Sequence, residues 1–259
     1  MRIVFSSILV LLIALVAGSA AAQEQKACAL VLMHGKWHNP RDFGFFGGKI
    51  EPTCDYKSIE MPWSKNRNYD EPYPVALAQI KVQVDEFRKG GYKRVILVGH
   101  SFGANAALAY MAEIGNADGV IVLAPGHAPL YMYNNGIGKD AVNKARELVA
   151  VGKGGETLDM DDFNQGKPKS INMRADVLLS YFDPNGLGHM QLTATRFKKA
   201  VPFFYVVGTR DPFYPYGPDL IFNKAPSHPS SKYVVVEADH VGTPDAAASA
   251  TLEWIKGLP

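Results

Sequence analysis

The chain has 259 residues, 47% hydrophobic and 20% charged, which is the make-up of a globular protein with a core of useful size. A formal net charge of +2, with no block of Lys or Arg, gives no footing for a nucleic-acid partner. No internal repeat and no low-complexity tract interrupts it.

The first residues read as a leader. Met1-Arg2 is a short positive start, Ile3 to Ala17 is almost wholly apolar, and Gly18 to Ala22 are small. Ala20 and Ala22 have the spacing of an A-x-A cleavage site, so residues 1–22 are expected to be a signal peptide and 23–259 the mature domain. The apolar run is short for a bilayer span, which needs roughly 20 residues. The expected location is periplasmic or secreted, with no stable membrane span after cleavage.

Export makes a disulfide possible between Cys28 and Cys54, the two cysteines of the chain. Each stands just before a strand-like run. If those strands are neighbours in a parallel sheet, their starts lie side by side. Two buried free thiols are the alternative, and neither cysteine sits in a reactive motif.

"ALVLMHG" (29–35) is a short continuous apolar run, as expected for a strand covered on both faces. "YKSIEMPWS" is a weaker strand. Residues 75–88 carry Leu77, Ile80, Val84 and Phe87 at helical spacing, and Gly90-Gly91 ends that helix. "RVILVGH" is a second buried strand, "FGANAALAYMAEIG" a helix of small residues, and "GVIVLAPG" a third strand. From about 130 to 196 the rhythm breaks: one helix is expected over Asp140–Val151, and "ADVLLSYF" runs into an Asp-Pro-Asn-Gly turn. This stretch reads as an insertion over the main domain. Then "VPFFYVVG" is a strand, 219–224 part of a short helix, "KYVVVEA" a strand, and Thr243 the N-cap of a last helix with Pro244 in its first turn.

Strands alternating with helices imply a mostly parallel sheet between helical layers. Ligands in such sheets bind beyond the carboxyl ends of the strands. Those ends carry His34-Gly35-Lys36-Trp37, Gly99-His100-Ser101-Phe102-Gly103, Thr209-Arg210-Asp211-Pro212 and Asp239-His240.

These residues match the needs of acyl transfer. A serine hydroxyl is a weak nucleophile at neutral pH and needs a base. His240 is the candidate base, and Asp211 the acid that fixes its tautomer. Two preorganised N–H donors must meet the oxyanion. The candidates are the amides of Phe102, which opens a helix, and of Lys36, in the first loop. Gly99 and Gly103 flank Ser101 where a sharp strand-to-helix bend leaves no room for a Cβ.

The chain resembles the α/β-hydrolase superfamily over roughly 29–258. "GHSFG" matches its nucleophile elbow, "HGKW" its oxyanion loop, "GTRDP" its acid and "ADH" its base. The resemblance implies hydrolase chemistry and an eight-stranded sheet. Here there is no room for the first two strands after a cut at Ala22, so an α/β-hydrolase fold of about six strands, helices on both faces and a small cap (about 130–196) is expected.

The other marked residues have plainer readings. His100 is expected to pack under the elbow, and His34 to be structural. His34 and His38 have metal-like spacing but no third ligand, so neither metal nor cofactor is expected. Trp37, His127 and Phe213 are candidates for the substrate pocket, among many loop and insertion aromatics. A carboxylate nucleophile, as dehalogenases and epoxide hydrolases need, is replaced by Ser101. The favoured expectation is a small-molecule carboxylic ester as substrate. Thioester, amide or peptide cleavage by the same residues stays open, as does a non-catalytic binding protein on the same fold.

Overall fold

The structure is a computed structural model and describes residues 26–259. The leader-like segment 1–22 lies outside the described residues. Among the described residues, no helix is long and apolar enough to cross a membrane.

Four apolar runs form strands buried along their whole length, and two less buried runs flank them at the sheet edges. In chain order the parallel strands are β1 (Cys28–Met33), β2 (Cys54–Ile59), β3 (Val95–Ser101), β4 (Gly119–Pro125), β7 (Phe203–Gly208) and β8 (Lys232–Val236). They lie in the order β2-β1-β3-β4-β7-β8. The continuous apolar pattern has a direct cause. Successive side chains point to opposite faces, and both faces are covered. Val31, Leu97, Val120 and Tyr205 join one core, while Leu30, Ile96, Ile121 and Phe204 join the other. The first core is closed by α2 (Tyr73–Lys89) and α3 (Phe102–Glu113), the second by α1 (Gly44–Ile50) and α8 (Thr243–Lys256).

Cys28 and Cys54 are register partners at the start of β1 and β2, with Cα atoms 4.8 Å apart, and they form a disulfide. The bond sits at the end of the sheet opposite to Ser101.

Between β4 and β7 the chain inserts α4 (Pro129–Asn134), α5 (Lys139–Ala150), an antiparallel hairpin of β5 (Thr157–Asn164) and β6 (Lys167–Arg174), α6 (Ala175–Phe182) and α7 (Met190–Thr195). This is richer than the single helix expected there. The hairpin is the largest addition. Its two-residue loop has Gln165 and Gly166 at φ of 49° and 78°, the left-handed pair that matches strand twist. One further expectation is corrected. Thr243 is not the N-cap: Gly242 holds that place, and the Thr243 hydroxyl donates to Asp239 O at 2.7 Å from the first turn. The short helix expected over 219–224 takes the form of two 3-10 turns, Tyr214–Leu220 and Phe222–Lys224.

Candidate active site

Three strand ends converge. Ser101 closes β3 with φ 54° and ψ −116°, a backbone state that only a tightly held bend sustains. The packing around it is close. A Cβ on Gly99 would overlap the Gly103 backbone, and one on Gly103 would overlap Met33 O. The glycines therefore supply the clearance expected of them. A Cβ at Gly126, just after β4, would stand 2.5 Å from Ser101 Oγ.

The serine hydroxyl donates to His240 Nε2 at 2.9 Å, and His240 Nδ1–H donates to Asp211 Oδ2 at 2.6 Å. Asp211 is held in turn by the Phe213 amide, which donates to its other oxygen at 2.7 Å. Carboxylate and imidazole are both buried, with side-chain exposures of 0% and 9%. The structure thus brings together three residues that are 110 and 29 positions apart in the chain. Asp239, next to the histidine, is exposed and accepts from Gly242 N at 2.7 Å, which makes it a turn residue.

Lys36 and Phe102 both lie beside Ser101. Lys36 follows Gly35, where an added Cβ would sit 3.6 Å from Ser101 Oγ, and Phe102 is the first residue of α3. Among the described residues, neither amide has an acceptor in the protein.

A cavity of about 250 Å³ opens on Ser101 and His240. Lys36, His127, Tyr131, Phe163 and Phe213 are among its walls. Trp37, expected in that wall, stands outside it. Its ring packs against the core, with Lys169 Nζ 5.1 Å from the ring centroid. A second hollow of about 190 Å³ shares Ala128, Tyr131 and Phe213 with the first.

Three other histidines, His34, His100 and His127, are tied to backbone. His100 Nε2–H donates to His240 O at 2.9 Å, so it packs under the elbow. Burial, and then the nearness of His240, push its pKa down to about 3. His127 stacks on Phe102 at 3.9 Å and donates from Nε2 to Tyr181 O at 2.8 Å. Burial, aided by the Lys36 charge, holds its pKa well below the ordinary histidine value. His34 accepts from Met61 N at Nε2 and donates from Nδ1 to Gly35 O, so both its ring nitrogens are engaged. Burial lowers its pKa as well. His38 turns away to Asp42 at 2.6 Å.

The sequence reading missed four residues that shape the site. Gly126 is one. Asn105, fully buried on α3, donates to His127 O and Gly188 O and accepts from Tyr73 OH, which fixes the loop after β4. Asp162 and Asn164 belong to the hairpin and reach Lys36. Only Asn105 left a local signal: an amide amid alanines on a buried helix must find partners.

A six-stranded parallel sheet with helices on both faces and a cap before the penultimate strand is the architecture of an α/β hydrolase. The chain belongs to the alpha/beta hydrolase family, whose family model matches residues 30–252. No curated protein matches the chain. Among solved structures it is similar in fold to a thermostable carboxyl esterase from Bacillus coagulans, with TM-score 0.62, 14% identity and 90% of each chain covered. It is also similar to a monoacylglycerol lipase from Paleococcus ferrophilus, with TM-score 0.60, 18% identity, and 88% of this chain and 93% of that one covered. A third is the ferulic-acid-bound Est1E of Butyrivibrio proteoclasticus, with TM-score 0.59, 16% identity and 89% of each chain covered. At these identities the likeness is one of fold.

Proposed function

We propose that the protein is an exported serine hydrolase that cleaves carboxylic esters. One observation carries this reading: the Ser101–His240–Asp211 hydrogen-bond chain, at 2.9 and 2.6 Å, standing at a largely apolar cavity. Ser101 Oγ attacks the ester carbonyl while His240 Nε2 takes its proton. Asp211 holds His240 in the tautomer that leaves Nε2 free to accept, and it stabilises the imidazolium that forms. The amides of Lys36 and Phe102 meet the oxyanion. His240 returns the proton to the departing alcohol, and a water activated by His240 then releases the acid from Ser101.

The esterase and lipase names of fold neighbours support the ester as substrate class. So do the two adjoining hollows, which suit an ester with at least one extended apolar arm. The Cys28–Cys54 bond and the leader-like residues 1–22 support export. The test is turnover across matched esters, thioesters and amides, with Ser101→Ala as control. Ester cleavage should dominate and vanish in the variant. A folded wild type that turns over none of the three supports the binding-protein alternative instead.

A further inference from the structure

Along β5 the inward face carries Met160 and then Asp162, a carboxylate where strand alternation calls for an apolar residue. It meets Lys36, 126 positions away, with Nζ 2.5 Å from Oδ1. Both side chains are shut off from solvent, at 4% and 0% exposure. Tyr69 OH donates to the second carboxylate oxygen at 2.8 Å, and the Phe163 amide donates to the first at 2.7 Å. Lys36 Nζ also donates to Phe163 O at 3.0 Å. One residue further on, Asn164 Nδ2 donates to the Lys36 carbonyl at 3.2 Å.

Three successive hairpin residues therefore hold Lys36 at both its head and its backbone. The next amide, Trp37 N, donates to Trp63 O at 2.9 Å. Trp37 has φ 56°, so the loop is bent sharply here and needs restraint. The Lys36 N–H belongs to the 35–36 peptide plane, whose carbonyl, Gly35 O, accepts from His34 Nδ1 at 2.8 Å and His38 N at 3.2 Å. Asn164 and Trp63 pin the adjoining 36–37 plane and Asp162 pins the side chain, so the hairpin holds the far side of the residue that carries that N–H. A buried ion pair is weak evidence for stability, since apolar residues of like volume serve as well. What such a pair does supply is a defined position.

We infer that Asp162 and Asn164 are positioning residues for the oxyanion hole: the insertion's hairpin fixes the Lys36 amide that receives the developing charge. This rests on the proposed serine mechanism. The same segment closes the cavity, since Phe163, Asn164, Gln165 and Gly166 line it together with Ser101. The cap and the oxyanion hole are thus coupled through Lys36.

The test is steady-state hydrolysis of a short p-nitrophenyl ester, with kcat expressed per serine titrated to completion by a fluorophosphonate, so that misfolded protein drops out. Losing one oxyanion donor lowers kcat by roughly 10²–10³-fold, and displacing it by about 1 Å does nearly as much. Asp162→Asn should lower kcat about 10–100-fold with KM nearly unchanged, and Asn164→Ala should lower it by less, in the same direction. The double variant Lys36→Met with Asp162→Leu replaces the ion pair with apolar volume. It should regain stability and still show the kcat loss, which a merely structural role does not predict. Wild-type kcat per titrated serine in Asn164→Ala and in the double variant would overturn the inference while leaving the serine mechanism intact. A wild type that takes up no probe and turns over no ester removes the mechanism, and the inference with it.

Discussion

Gly126 faces the hydroxyl of Ser101 so closely that a methyl group at 126 would stand 2.5 Å from Oγ. Ser101 closes β3 and Gly126 follows its neighbour β4, and Gly126 N donates to Ser101 O at 3.0 Å. The loop after β4 thus walls the Ser101 hydroxyl from the side opposite Gly35. Gly126→Ala should leave the fold in place and push Oγ off the line to His240. We expect a fall in kcat of about 10²-fold, as for a misplacement of about 1 Å. Circular dichroism and ester turnover on one preparation check this; wild-type kcat in the folded variant contradicts it.

The two hollows that meet at Phe213 make a prediction about substrate length. Each buried methylene contributes about 0.8 kcal/mol, which is roughly fourfold in kcat/KM where the contact persists in the transition state. Along a p-nitrophenyl series from acetate upward, kcat/KM should climb for several carbons and then level off as the hollows fill. A flat or falling profile from the shortest ester onward would show that the apolar walls do not grip the acyl arm.

Far from the site, the Cys28–Cys54 bond closes 26 residues at the base of β1 and β2. Replacing both cysteines with serine should lower stability by about 3 kcal/mol, with kcat at room temperature unchanged. Denaturant midpoints for the pair of proteins give the first quantity and ester turnover the second. A lost midpoint together with lost kcat would mean that the base of the sheet is coupled to the serine.

Acid should loosen the protein through its buried histidines. An unfolded histidine takes a proton near pH 6.5, whereas folded His100 does so only near pH 3. Between those values the unfolded chain binds more protons, so stability is full above about pH 6.5 and declines as pH falls. The slope is roughly 1.4 kcal/mol per pH unit for each such group. His127, held well below its ordinary value by burial, adds to it. Urea midpoints measured from pH 8 down to pH 5 should drop, and His100→Gln should flatten that decline. An unchanged slope in the variant would mean that His100 is not the group responsible.

Much of this architecture is legible in the sequence because strands covered on both faces are continuous apolar runs, and the residues that follow them stand at one edge of the sheet. For that reason Ser101, Asp211 and His240 can be paired across the chain from the residues alone. The insertion was less legible for a physical reason. β5 and β6 bury only alternate residues, and one of those, Asp162, is a carboxylate. Its partner is 126 positions away, and no local pattern announces a salt bridge across that span. Thr243 was misread because Thr-Pro-Asp is the usual opening of a helix, whereas here the hydroxyl turns back to Asp239 O and Gly242 takes the cap position. Trp37 was misplaced because an aromatic after a strand end can turn towards the site or away from it, and its positive φ turns it away.

The proposed function requires Ser101 to be the nucleophile that His240 activates. Its most direct test is covalent labelling by a fluorophosphonate, read by intact mass on wild type, Ser101→Ala and His240→Ala. Wild type should gain one phosphonyl adduct, Ser101→Ala none, and His240→Ala should label more slowly by a factor of about 10²–10⁴. An adduct on Ser101→Ala as fast as on wild type would place the reactive group elsewhere and contradict the account.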